Sequence, residues 1–188
     1  MRRIAIGTAA FGLVIATALS APGASGLARS PGVARSPAVA RFTCTITGTG
    51  HGDTLHGTPG RDVICGKNGN DQIYGGGGAD ILSGGGGSDL LMGQVGADVL
   101  LGGNGNDNLW GGLGRDALVA GFGRDIAVGQ QGLDIIAGGK GDDICLSGID
   151  HLAGDQIRGG PGHDRGDSDV GDSLTSVEDP VTFRCYGG

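Results

Sequence analysis

Aspartate recurs every nine residues without a miss, at Asp53, Asp62, Asp71, Asp80, Asp89, Asp98, Asp107, Asp116, Asp125, Asp134 and Asp143. Around each one the chain reads Gly-Gly-x-Gly-x-Asp-x-apolar-x, clearest from Gly75 to Ser83 (Gly-Gly-Gly-Gly-Ala-Asp-Ile-Leu-Ser). A period this short and this regular means stacked structural units. Stacking brings the carboxylates into rows, and rows of negative charge need cations between them.

Eleven contiguous nonapeptides run from Gly48 to Leu146. Position one is Gly apart from Ala120, and position four is Gly apart from His51. Position eight reads Leu55, Ile64, Ile73, Leu82, Leu91, Leu100, Leu109, Leu118, Ala127, Ile136 and Cys145. After an interruption at about Ser147 to Ala153 the pattern half returns, first as Asp155-Gln156-Ile157 and then as Gly159-Gly160-Pro161-Gly162-His163-Asp164.

Glycine at positions one, two and four is expected to supply positive φ, which other residues reach only at a cost. Six Gly-rich residues then form a turn and the remaining three a short strand. Side chains alternate along a strand, so position eight faces a core while positions seven and nine face outward. Two turns and two strands make a coil of eighteen residues. The expected fold is an all-β, right-handed parallel β-roll, a solenoid of two narrow sheets edged by ladders of Gly turns.

In such a roll Asp53, Asp71, Asp89, Asp107, Asp125 and Asp143 form one ladder, with Asp62, Asp80, Asp98, Asp116 and Asp134 in the other. Rungs stand about 4.8 Å apart. Two carboxylates at that spacing repel by about 1 kcal/mol in water and about 3–4 kcal/mol at an effective dielectric of 20. Calcium reverses the sign, because it accepts six to eight oxygens in flexible geometry from carboxylates and backbone carbonyls. The position-one and position-four glycines, such as Gly75, Gly78, Gly84, Gly87, Gly102 and Gly105, expose carbonyls that join the aspartates as candidate ligands for several ions. Magnesium demands a stricter octahedron, and the sulfur and imidazole ligands of zinc are missing from the repeat.

These eleven nonapeptides resemble the repeats-in-toxin (RTX) family of calcium-binding proteins, and within it the small exported bacterial hemolysin-type calcium-binding proteins. The resemblance covers roughly the middle half of the chain and implies calcium as ligand. Asp172 to Glu178 resembles the closing strand of such proteins. RTX repeats often trail a protease, lipase or pore-forming domain and are exported through a C-terminal signal. The N-terminus of this chain reads instead as a cleavable leader, a departure from the family that weakens an inference of toxin function.

A disordered Gly-rich tract is the competing reading for the calcium-free state. Few aromatics and a thin core cannot offset chain entropy and carboxylate repulsion together. Folding is therefore expected to be coupled to metal.

Met1-Arg2-Arg3, the apolar run Ile4–Leu19 and the small residues after it have the layout of a secretory signal peptide over residues 1–26, with Ala18-Leu19-Ser20 and Ala24-Ser25-Gly26 as acceptable cleavage contexts. The run is short for a membrane anchor of about 20 residues, so no integral membrane segment is expected after cleavage. Residues 27–41 read as a basic, Pro-punctuated disordered linker that could touch an anionic cell surface. Residues 42–47 read as an N-terminal cap, 48–146 as the roll, and 147–188 as partial repeats with a C-terminal cap. From Phe42 onward eight Lys and Arg stand against all twenty acidic residues, a formal charge of −12, which argues against nucleic acid. Four cysteines in a secreted chain suggest disulfides. Local pairing is the preferred choice, Cys44 with Cys65 and Cys145 with Cys185, although the inward place of Cys145 leaves buried free thiols open.

No Gly-x-Ser-x-Gly, His-Glu-x-x-His or phosphate loop occurs. His51, His56, His151 and His163 are scattered, so no enzyme is expected and a hydrolase stands as a distant third. Counting outward positions puts Val63, Ile81, Val99, Leu101, Val119 and Ile135 on one sheet face. An exposed apolar sheet of that size would be unusual on a soluble monomer. The expectation is cover by the C-terminal tail or by a second molecule, as a homo-oligomer or an extracellular adhesion partner.

Overall fold

A computed structural model describes residues 43–147, 155–167 and 173–175. The expected signal peptide, the linker, Phe42 and much of the expected C-terminal cap, including Cys185, lie outside the described residues. Among those described, every regular element is a strand. One sheet holds β1 (Ile46–Thr47), β3 (Val63–Asn68), β5 (Ile81–Gly86), β7 (Val99–Asn104), β9 (Ala117–Phe122), β11 (Ile135–Lys140), β13 (Gln156–Arg158) and β15 (Ser173–Thr175), in that spatial order. The other holds β2 (Thr54–His56), β4 (Gln72–Gly77), β6 (Leu90–Val95), β8 (Asn108–Leu113), β10 (Ile126–Gln131), β12 (Cys145–Ser147) and β14 (Gly166–Asp167).

Odd strands fall in one sheet and even strands in the other because each nonapeptide turns the chain to the opposite side. All pairs are parallel, and from β1 to β11 neighbouring rungs are eighteen residues apart, as in Leu82 opposite Leu100 and Leu91 opposite Leu109. The fold is the expected all-strand parallel β-solenoid.

Position eight builds the core between the sheets. Ile64, Ile73, Leu82, Leu91, Leu100, Leu109, Leu118, Ala127 and Ile136 are fully buried in one cluster, with Ile46 and Leu55 packed against its first end. One aliphatic side chain per nine ordered residues is a thin core, so other forces must contribute to order.

Four expectations change. Strands β3 to β11 run six residues, not three, because ladder pairing continues through positions one to three, as in Gly85 opposite Gly103. Position-one glycines are not left-handed; positive φ belongs to positions two and four, such as Gly76 at 99° and Gly78 at 112°. Position one is Gly for lack of space. A methyl on Gly75 would stand 2.6 Å from the Gly93 carbonyl oxygen and 2.8 Å from Oδ2 of Asp80.

The third change concerns Cys145, expected in the core. Ile126 pairs with Cys145 and Ala127 with Leu146, nineteen residues on instead of eighteen. One extra residue bulges into the strand and moves the register by one. Leu146 takes the core place, fully buried, and Cys145 pairs with Ile126, a position-seven residue.

The outer faces also differ from a position count. Val63, Ile81, Val99, Ala117 and Ile135 stack in one column. Its inner members Ile81, Val99 and Ala117 keep only 3, 8 and 8 % of their surface, while the two end members are half-buried. Each inner residue has a neighbour in register above and below, about 4.8 Å away. The expected broad exposed apolar sheet is therefore smaller than the sequence implies. Among the described residues the exposed large apolar side chains are Val95, Leu113, Phe122 and Leu133, in or beside the turns.

Candidate metal sites

Asp at position six ends each turn just before the next strand, with its side chain inside the turn. Oδ1 accepts a hydrogen bond from the backbone N–H of the aspartate one rung earlier. Asp71 Oδ1 takes the Asp53 amide at 2.7 Å, Asp80 the Asp62 amide at 2.8 Å, and Asp89 the Asp71 amide at 2.8 Å. The series continues through Asp98, Asp107, Asp116, Asp125, Asp134 and Asp143. Both predicted aspartate ladders are thus present, and from Asp71 and Asp80 onward each carboxylate ties its rung to the preceding one.

The second oxygen is different. Oδ2 of Asp71, Asp80, Asp89, Asp98, Asp107, Asp116, Asp125 and Asp143 is buried and accepts no hydrogen bond. A buried charged oxygen without a partner costs far more than a solvated one. Burial pushes the carboxyls of Asp80, Asp89 and Asp125 above the usual range, against the opposing amide bonds. It raises Asp98 to about 6 and Asp107, Asp116 and Asp143 to about 7. Neighbouring rungs add repulsion, as Asp89 and Asp125 do for Asp107.

These orphaned oxygens are what a hard cation needs. Beside them lie position-one carbonyls: Gly93 O and Asp80 Oδ2 flank the space at Gly75, where a side chain would fill the cradle. Among the described residues no three His, Cys, Asp or Glu side chains converge. A cation here must draw oxygens from the backbone, which suits calcium and does not suit zinc. Of the glycines expected to lend carbonyls, Gly75, Gly84 and Gly102 have a position-six Oδ2 beside the place a Cβ would take. Gly78, Gly87 and Gly105 stand at the far end of the turn, where their N–H groups donate to Val95, Asn104 and Phe122 carbonyls.

The first two turns depart from this pattern. Thr49 donates from both N–H, at 2.6 Å, and Oγ1, at 2.8 Å, to Oδ2 of Asp53. Thr58 does the same to Asp62, at 2.7 and 2.8 Å. The threonine amides, then the hydroxyls, hold both carboxyls below the ordinary range.

Two further rungs escaped the nine-residue count. Asp155 accepts the Asp134 amide at 2.7 Å and Asp164 the Asp143 amide at 3.1 Å, each twenty-one residues on. Three extra residues in the interruption hide them from a strict period, although the half-returning pattern was the signal. At the other end Cys44 and Cys65 form a disulfide, as local pairing anticipated.

No curated relative matches the chain. The model of the RTX calcium-binding nonapeptide repeat, four copies, matches residues 47–82, 56–91, 83–118, 92–127 and 119–151. These matches span more than half of the chain, over the same turns that carry the two carboxylate ladders, and the protein belongs to the RTX calcium-binding repeat family.

Proposed function

We propose that this protein is an exported, non-catalytic calcium-binding module that becomes ordered on binding several calcium ions between its stacked turns. The observation that carries this reading is the set of buried carboxylate oxygens without hydrogen-bond partners on Asp71, Asp80, Asp89, Asp98, Asp107, Asp116, Asp125 and Asp143. Backbone carbonyls lie beside the same spaces, as Gly93 O does near Asp80 Oδ2. Calcium would supply positive charge there. Asp71, Asp80, Asp89, Asp98, Asp107, Asp116, Asp125 and Asp143 are the residues that would hold it, with position-one carbonyls such as those of Gly84, Gly93 and Gly102.

Coupling to folding follows from the thin core and the burial of like charges. Without the cation, ordering the chain places carboxylates next to one another in a low-dielectric edge. Metal-binding energy then becomes folding energy. Export is supported by the signal-like N-terminus and by the family, whose members are typically exported. The formal charge of −12 from Phe42 onward would fall as calcium loads.

Isothermal titration of the chelator-treated protein with calcium tests binding. Saturable uptake of several ions is expected, and heat no greater than buffer dilution would overturn the proposal.

A further inference from the structure

Every turn from the third repeat to the eleventh has a left-handed residue at position two. Where it is not Gly the chain still adopts positive φ: Lys67 at 88°, Gln94 at 75° and Gln130 at 71°. Thr49 and Thr58 are absent from that series, as are His51 and Gly60 at position four. The reason is local. A β-branched residue is strongly disfavoured at positive φ, so the first two turns take another path.

On that path the threonine becomes the hub of its turn. Its N–H and Oγ1 both donate to Oδ2 of the aspartate four residues on. Its Oγ1 accepts the position-four amide, His51 N–H at 3.3 Å and Gly60 N–H at 3.2 Å. The oxygen left bare in the interior turns is here saturated by the turn itself. The Cys44–Cys65 disulfide encloses these same two turns, and Asp62 receives a further bond from Thr45 Oγ1 at 3.4 Å.

We propose that Thr49 and Thr58 replace the cation in the first turn of each ladder, so that the Asp53 and Asp62 rungs are metal-free and calcium binding begins at Asp71 and Asp80. This rests on the calcium reading above and narrows it: the nine-residue aspartate count overstates the binding rungs by two. The disulfide-closed, threonine-bonded turns form an end plate on which the cation-dependent rungs stack.

Native mass spectrometry of the disulfide-intact protein in calcium counts bound ions. D53N/D62N is expected to carry the wild-type number, whereas D89N/D98N carries fewer. Loss of ions in D53N/D62N, with circular dichroism showing the wild-type roll, would overturn this proposal alone. A wild-type protein that binds no calcium would overturn the calcium reading and this proposal with it. Carboxyl-carbon NMR of the unmutated chain gives a second readout that needs no variant to fold. Exchanging calcium for lanthanum in the folded, loaded protein should shift the signals of Asp89 and Asp98 and leave those of Asp53 and Asp62 in place; a comparable shift of all four contradicts the proposal.

Discussion

The Asp98 amide donates to Oδ1 of Asp116 at 2.8 Å, while Oδ2 of Asp116 is buried with no donor at all. One carboxylate thus has two distinct oxygens: the first ties a turn to the preceding rung, and the second is the one proposed to take a cation. Asparagine can do the first job and not the second. D98N/D116N should lower the number or affinity of bound calcium ions, yet leave the chelator-treated protein more ordered than wild type, because buried charge has been removed. Calcium titration and circular dichroism in chelator check the two halves. A variant less ordered in both states would show that the charges themselves support the fold.

Acid should act on the calcium-free roll in the same direction. Burial raises the carboxyls of Asp98 to about 6 and of Asp107, Asp116 and Asp143 to about 7, from an ordinary 3.8. The folded state therefore binds more protons than the unfolded chain between those values. Its stability rises as pH falls through 7 toward 4 and is lost as pH rises back through the folded values. Chelator-treated protein should gain β signal on acidification across that window. With calcium present the sign reverses, since protons compete for the same oxygens.

Leu100 is fully buried in the centre of the core column. Leu100→Ala should cost about 2–5 kcal/mol in the calcium-loaded protein, read as a lowered midpoint in denaturant. Exposed Leu113 should cost no more than about 0.5 kcal/mol when replaced by Ala.

Gly75 has no room for a methyl, which would press on the Gly93 carbonyl and on Asp80 Oδ2. Gly75→Ala should weaken calcium binding and thermal stability together, even though Ala is an ordinary residue for the φ found there. If calcium affinity survives while only stability falls, the cradle beside Asp80 is not part of a site.

The disulfide spans a separation of 21 residues. Replacing Cys44 and Cys65 together by Ser should cost about 3 kcal/mol through the freed unfolded chain, measured as a lowered melting temperature in calcium.

The solenoid, its core column and both aspartate ladders were legible in the sequence because each depends on periodicity alone. Ile64 to Ile136 fill the core at every ninth place, as counted. What periodicity could not reveal was where a single residue breaks it. The bulge that hands the core place from Cys145 to Leu146 needs a pairing register, which no residue type announces. The steric role of Gly75 was mistaken for a conformational one, since both leave the same letter. Thr49 and Thr58 were visible as departures from Gly at position two, but their meaning came only from the hydrogen bonds to Asp53 and Asp62. Asp155 and Asp164 were displaced by three inserted residues and regained their rungs in space.

The most direct measurement of the central claim is far-ultraviolet circular dichroism of the protein in chelator and then across added calcium. A cooperative gain of β signal, reversed when chelator is restored, is the predicted result. Spectra that are identical with and without calcium would contradict it.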